Sequence, residues 1–101
     1  MTLQQLQYIV AVVETGQFSR AATACHVTQP TLTTMVRKLE DELGVTLFDR
    51  RSTPIRPTTD GEALLAQARV VLREAAQMKA LVKELRTGTS GTYRIGIIPT
   101  L

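Results

Sequence analysis

The stretch HVTQPTLTTMVRKLE, residues 26–40, combines the start of a helix with an apolar stripe at helical spacing. Thr28 or Gln29 begins the helix, and Pro30 falls in its first turn, where a missing N–H does no harm. Gly44 is a natural end point. The pattern therefore predicts an amphipathic helix. Its predicted buried stripe consists of Leu32, Met35, Val36, Leu39 and Leu43.

A shorter helix precedes this one at a very small interval. Ser19 is predicted to cap it, and the helix ends at Cys25, with two consecutive alanines that permit close approach of another helix. Only residues 26–28 separate the two helices, so they must cross sharply rather than lie antiparallel. This arrangement is typical of a helix-turn-helix. His26 stands where many such turns have glycine.

The first helix of the chain is predicted from a capping box. Thr2 is its N-cap, and the Gln5 side chain reaches back to the Thr2 backbone. Apolar residues then recur at helical spacing up to Thr15, and Gly16 follows as the stop. The sequence thus predicts a helix from about Thr2 to Thr15.

A small hairpin, or wing, is predicted after the helix-turn-helix. Two short extended pieces, residues 47–51 and 55–58, surround the turn Ser52-Thr53-Pro54. Pro57 lacks an N–H, so any strand there is short and lies at an edge. Residues 1–58 are therefore predicted to form one mainly α, winged helix-turn-helix domain.

One long helical pattern occupies residues 59–87 and would span about 43 Å at 1.5 Å per residue. Its apolar residues recur at spacings of four and three, which is a heptad seam that predicts self-association. The seam consists of Leu64, Ala68, Val71, Ala75, Met78, Val82 and Leu85. The alternative is that the helix packs on its own domain, since Leu65 and Leu72 widen the apolar face near its start.

The last residues, 88–101, are predicted to begin another domain. Residues 88–92 have the composition of a linker, and residues 93–98 have the pattern of a β-strand. A lone strand cannot form a sheet. The sequence is therefore expected to be the front of a longer protein, cut just inside its next domain.

Composition and charge argue against an enzyme and favour a partner that carries phosphates. The 101 residues include one Cys and one His, and they show no metal-ligand cluster, Gly-rich phosphate loop or converging base and nucleophile. We therefore expect no cofactor. The longest early apolar run, Ile9–Val13, is too short to span a bilayer, and a single Cys25 fits a reducing cytoplasm. No acid occurs between Glu14 and Glu40, whereas basic residues do, which is typical of a DNA-binding face.

Several motifs together carry a family resemblance. They are FSRAA (18–22), VTQPTLT (27–33), LEDELGV (39–45), LFDR (47–50), and Thr58 with Gly61. In this combination, over about residues 1–87, the chain resembles the amino-terminal domain of LysR-type transcriptional regulators. The stretches CHVTQPTL (25–32) and IGIIPT (95–100) are similar to the peroxide-sensing members of that family.

The resemblance implies an assembly as well as a fold. It implies a winged helix-turn-helix, a linker helix over residues 59–87 that pairs two chains in antiparallel fashion, and a sensor domain that begins within residues 88–101. It implies double-stranded DNA with two half-sites and RNA polymerase as partners, and it leaves tetramers of the full-length protein open. Peroxide-sensing members use a cysteine pair in the sensor domain. Cys25 does not belong to such a pair.

The face of the third helix opposite Leu32 is the predicted DNA contact, together with the wing. The predicted DNA-binding residues are Thr28, Gln29, Pro30, Thr31, Thr33, Thr34, Arg37, Lys38, Arg50, Arg51 and Arg56. Gln29 is the candidate for a base contact, because its amide can bond adenine in two places. For Arg50 a structural role, in an ion pair with an acid such as Glu42, is an equal alternative. A helical dimerisation module without DNA binding remains the second hypothesis.

Overall fold

The computed structural model describes residues 1–87 as four helices and a two-stranded antiparallel sheet. The elements are α1 (Leu3–Thr15), α2 (Phe18–Ala24), α3 (Gln29–Leu43), β1 (Phe48–Asp49), β2 (Arg56–Pro57) and α4 (Thr59–Thr87). The predicted mainly α class and the predicted order of elements are confirmed. The predicted linker and strand within residues 88–101 lie outside the described residues.

The capping box at the start of α1 is formed as predicted. The Gln5 backbone N–H donates to Thr2 Oγ1 at 3.1 Å, and the Thr2 N–H donates to Gln5 Oε1 at 2.9 Å. The Gln5 side chain is buried, and its Nε2 donates to the Met35 carbonyl oxygen at 3.2 Å. One glutamine therefore caps α1 and also connects α1 to the middle of α3.

The start of α2 differs from the prediction. The helix begins at Phe18, its N-cap is Gln17, and no side chain caps it, so the predicted cap at Ser19 is wrong. The ring of Phe18 packs edge-on against the ring of Phe48, with 6.0 Å between centroids. This tertiary contact, rather than a hydroxyl, holds the first residue of the helix. Cys25 is the C-cap of α2.

The turn between α2 and α3 is as tight as the sequence predicts. His26 has a φ of 60°, in the left-handed region that favours glycine. The His26 N–H donates to the Thr23 carbonyl at 3.1 Å, and the Val27 N–H donates to the Ala22 carbonyl at 3.0 Å. These two bonds satisfy carbonyl groups at the end of α2, and α3 begins at Gln29, after only a short turn.

Helix α3 contributes the centre of the core. Thr28 is its N-cap, and Gly44 ends it in the left-handed conformation. Three residues of the predicted stripe, Leu32, Val36 and Leu39, are fully buried, whereas Met35 and Leu43 are partly buried against them. They pack against apolar residues of α1 and α2 and against Leu47 and Phe48 of the wing. The buried core consists of Leu6, Tyr8, Ile9, Val12, Ala21, Ala22, Leu32, Val36, Leu39, Leu47, Phe48, Leu65 and Ala68.

The wing is very short and is fastened at its base. Phe48 pairs with Pro57, and Asp49 pairs with Arg56. The Thr58 hydroxyl donates to the Thr46 carbonyl at 2.6 Å, and the Thr58 backbone N–H donates to the Leu47 carbonyl at 2.9 Å. Thr58 also accepts from the Gly61 N–H at 2.9 Å. The base of the wing is thereby joined to the first turn of α4.

Helix α4 has two different halves. Near its start, Leu65 and Ala68 are buried against the helical domain, and Leu64 and Val71 pack partly against it. Ala68 is only 3% exposed because it packs on the helical domain, and its place in a dimer seam stays a prediction. The predicted alternative, packing on its own domain, holds for this half. Further along, Met78, Leu81 and Val82 are exposed, at 70%, 51% and 44% respectively.

Candidate nucleic-acid interface

The polar face of α3 lies on the surface. Thr28, Gln29, Pro30, Thr31, Thr34, Arg37 and Lys38 are all exposed. Thr33 is half-buried, so less of its side chain is available to a ligand than its position on the helical wheel suggested. Because Leu32, Val36 and Leu39 on the opposite face of the same helix are fully buried, the core holds this polar face in place.

The first turn of α3 combines a cap with an outward hydroxyl. The Thr31 N–H donates to Thr28 Oγ1 at 3.3 Å, and the Thr28 hydroxyl donates to Thr31 Oγ1 at 2.9 Å. Since the Thr31 oxygen accepts in that bond, its own proton is free to donate outward. Helix N-termini favour anions, because backbone N–H groups and the helix dipole point there. This end of α3 is therefore suited to a phosphate oxygen.

Exposed cations stand further along α3 and on the wing. Among residues 1–87, no carboxylate forms an ion pair with Arg37, Lys38 or Arg56. Arg51 is 94% exposed and forms only a 3.4 Å pair with Asp49. The Arg51 backbone N–H, more than its guanidinium, holds the pKa of Asp49 below its ordinary value. These cations remain available to an external anion.

Arg50 is different from the other predicted cations. Its guanidinium donates to Glu40 Oε1 at 2.9 Å and to Glu40 Oε2 at 3.3 Å. The predicted partner, Glu42, is wrong, since Glu42 binds the ammonium group of Met1 at 2.7 Å. The guanidinium carbon of Arg50 also lies 5.2 Å from the centre of the Phe18 ring. The structural alternative for Arg50 is therefore the one that its contacts favour.

Two connections escaped the sequence analysis. The bond from Gln5 to the Met35 carbonyl fixes α3 against α1, and Glu40 binds both Arg50 and the Leu47 N–H. Neither is visible in a periodic pattern, because each joins residues on different elements. The capping box did identify Gln5, but it accounts for only one of the two roles of that side chain.

The remaining singled-out residues have ordinary surroundings. Tyr8 and Phe48 are aromatic residues buried in the core. His26 is exposed, and Cys25 is half-buried, where desolvation raises the pKa of its thiol. No cluster of His, Cys, Asp or Glu within residues 1–87 is arranged to hold a metal ion. None of the helices in that range is both long and apolar enough to cross a bilayer.

The exposed half of α4 presents an apolar strip. Met78, Leu81 and Val82 are exposed, and Ala75 and Leu85 are half-buried on the same side of the helix. The predicted seam missed Leu81, which lies one helical turn beyond Met78. The apolar strip, defined as these five residues, is therefore the part of α4 that its own domain leaves uncovered.

The sharp helix corner, the exposed polar helix and the fastened hairpin define the class of the protein, which is a winged helix-turn-helix protein. The sequence matches the pattern of the bacterial regulatory helix-turn-helix proteins of the lysR family over residues 3–62. Since the match covers more than half of the chain, the chain belongs to the LysR family.

Relatives of known structure or function agree with this assignment. The chain is 46% identical over 101 residues to the DNA-binding transcriptional dual regulator OxyR of Escherichia coli (strain K12), covering all of this chain and 33% of that protein. It therefore spans about a third of the length of the curated relatives it matches.

Two solved structures are similar in fold. The complex of BenM_DBD with catB site 1 DNA superposes with a TM-score of 0.84 at 36% identity, covering 88% of this chain and 96% of that one. A full-length OxyR variant from Pseudomonas aeruginosa gives a TM-score of 0.78 at 48% identity, covering 82% of this chain and 28% of that one.

Proposed function

We propose that this chain is the DNA-binding part of a LysR-type transcriptional regulator and that α3 is its recognition helix. One observation carries the proposal. Helix α3 buries its apolar face in the core, and its other face exposes threonines, a glutamine and two cations that form no ion pair within residues 1–87. Such a helix fits the major groove of duplex DNA. The similar BenM_DBD and CbnR_DBD domains, both solved in complexes with DNA, support it.

The residues of this face divide into two roles. Gln29 reads a base, because its amide both donates and accepts and so matches adenine. Pro30, Thr33 and Thr34 line the same groove with small apolar and hydroxyl groups. Phosphate is bound by the first turn of α3, through Thr28 and Thr31, by Arg37 and Lys38 further along, and by Arg51 and Arg56 of the wing.

The protein acts as a homodimer. We assign residues 1–58 to the DNA-binding domain, residues 59–87 to the dimerisation helix and residues 88–101 to the start of a sensor domain. The apolar strip of α4 packs on the same strip of a second chain, which separates two recognition helices to meet two half-sites. As in the family, RNA polymerase is the further partner, and the protein works in the cytoplasm.

The full-length protein responds to hydrogen peroxide. The chain is 46% identical over its 101 residues to proteins called hydrogen peroxide-inducible genes activators, and it covers 33% of their length. The family resemblance implies a pair of sensing cysteines in the sensor domain, and residues 1–101 contain a single cysteine, Cys25, the C-cap of α2, so we assign sensing to the sensor domain and not to Cys25. The alternative is that a small-molecule effector, rather than peroxide, controls the full-length protein.

Two substitutions separate the proposed roles. Gln29→Ala removes a base contact, so it should reduce discrimination between binding sites by about 1–3 kcal/mol. Arg37→Ala removes a phosphate contact, so it should weaken all sites about equally and lower the slope of log K against log salt by roughly 0.9. Fluorescence anisotropy on several labelled duplexes measures both. An unchanged site preference in Gln29→Ala would contradict the base contact.

The dimerisation module without DNA binding is the second candidate, because the apolar strip of α4 is exposed. It predicts dimers that bind no DNA. Sedimentation gives the oligomeric state, and a mobility shift on random-sequence duplex at low salt gives the DNA affinity. Dimers that shift no duplex would favour this candidate over the proposed regulator.

A further inference from the structure

Glu40 lies at the junction of the recognition helix and the wing. It stands in the last turns of α3, and its side chain is only 11% exposed. Its Oε2 atom accepts from the Leu47 backbone N–H at 2.7 Å and from Arg50 at 3.3 Å, and its Oε1 atom accepts from Arg50 at 2.9 Å. A single carboxylate on α3 thus binds the chain on both sides of Phe48.

Arg50 continues this connection to a third element. Its guanidinium lies over the Phe18 ring, with 5.2 Å from its central carbon to the ring centre. Phe18 in turn meets the edge of the Phe48 ring at 6.0 Å. The start of α2, the end of α3 and the first strand of the wing are therefore joined around one arginine, whose side chain is 28% exposed.

We infer that Arg50 is a positioning residue for DNA recognition and not itself a DNA contact. It acts through Glu40 to hold the wing at a fixed distance and angle from the recognition helix. Arg51 and Arg56 then reach phosphate while α3 occupies the groove. The inference rests on the proposed function, and it changes the role of one residue that the sequence assigned to DNA.

Arginine is required here for a chemical reason. A guanidinium is planar and donates through parallel N–H groups, so it can bind both oxygens of Glu40 while its face lies on Phe18. Lysine keeps the positive charge but is a single point donor without a flat face. If Arg50 binds a DNA phosphate, Arg50→Lys should retain most of that contact. If Arg50 acts by binding Glu40 and Phe18, Arg50→Lys should break the contact.

The experiment begins with a duplex that the wild-type chain selects from a random-sequence pool. Its affinity is then measured by fluorescence anisotropy for Arg50→Lys and Glu40→Gln. Arg69→Lys is the matched control, because Arg69 forms a comparable 2.9 Å ion pair with Glu14, away from α3 and the wing. Arg51→Ala is made in the wild-type and Arg50→Lys backgrounds. All variants are compared at a temperature where circular dichroism shows them folded.

The expected results distinguish positioning from contact. Arg50→Lys and Glu40→Gln should each weaken binding about tenfold, comparable to one charged hydrogen bond, whereas Arg69→Lys should bind like wild type. The direction of the change in DNA affinity for Glu40→Gln is decisive. Removal of a negative charge near DNA would by electrostatics alone strengthen binding, whereas loss of the positioning contact weakens it. Arg51→Ala should cost less in the Arg50→Lys background, since the wing is already displaced.

Three results would overturn the inference. They are an Arg50→Lys variant that binds like the Arg69→Lys control, a Glu40→Gln variant that binds more tightly than wild type, and additive losses for Arg50→Lys and Arg51→Ala. Any one of them would show that Arg50 either contacts DNA directly or has no effect on DNA binding. A wild-type chain that selects no duplex would instead contradict the proposed function.

Discussion

Gly61 lies in the first turn of α4, directly beneath the backbone of the wing. A Cβ atom at this position would collide with the carbonyl oxygen of Leu47 and would also touch Thr58 Oγ1. That carbonyl accepts the bond from the Thr58 N–H that fastens the wing. The absence of a side chain at one residue therefore lets α4 approach the base of the wing closely enough to support it.

Gly61→Ala should lower the free energy of unfolding by about 2–3 kcal/mol, the upper range for an added atom in a well-packed site. Gly44→Ala is the control, because Gly44 has a φ of 73° but open space around it. Its cost should be only about 1 kcal/mol, from the left-handed backbone alone. Urea denaturation measures both, and equal costs would contradict the close contact at Gly61.

His26→Gly should raise the free energy of unfolding by about 0.5–1 kcal/mol. The left-handed conformation costs a side chain about 1–2 kcal/mol, and the greater flexibility of unfolded glycine offsets part of that gain. The exposed imidazole loses no contact that would reverse the sign. A lower denaturant midpoint than that of wild type, with the same dependence of the unfolding free energy on denaturant, would contradict this. It would show that the imidazole ring stabilises the fold by more than the left-handed backbone costs.

At the scale of elements, local caps could be predicted from the sequence and distant partners could not. Thr2, Thr28 and Gly44 act within one helical turn, so their patterns identified them correctly. The start of α2 depends on Phe48, which is 30 positions from Phe18. Glu40 and Glu42 are two residues apart on α3, so their side chains point in directions about 200° apart. The sequence does not say which side of α3 the wing occupies, and that position decides that Arg50 binds Glu40 and not Glu42.

Thr28→Ala should destabilise the fold by about 1 kcal/mol, because it removes the N-cap of α3. It should also weaken DNA binding, since the Thr31 hydroxyl loses the bond that orients it. Ser19→Ala is the control, because Ser19 caps nothing and is exposed. Its effect on stability should stay within about 0.5 kcal/mol. Thermal unfolding and anisotropy test both, and a larger loss for Ser19→Ala would reverse the assignment.

At the scale of the whole molecule, the two halves of α4 have different surroundings. Its first half completes the core through Leu65 and Ala68, and its second half carries the apolar strip into solvent. The heptad pattern covered both halves, because helical spacing alone does not distinguish an intramolecular surface from an intermolecular one. The contacts between α4 and α1 identify the first half of α4 as the part that packs on the domain.

Met78→Glu should weaken self-association at least about tenfold, since it places a charge in the proposed apolar contact. The folded monomer should be unaffected, because Met78 is 70% exposed. Ala76→Glu is the matched control on the opposite side of the same helix, and it should associate like wild type. Sedimentation equilibrium measures both variants. A Met78→Glu chain that associates as strongly as wild type would place the interface elsewhere.

We propose that α3, supported by the wing, is the surface that binds duplex DNA. Amide chemical shifts of the isotope-labelled chain, recorded as the selected duplex is added, test it most directly. We expect the largest changes at residues 28–38 and 51–56, and small changes in the outer half of α4. No change with any duplex at low salt, or changes confined to α4, would contradict it.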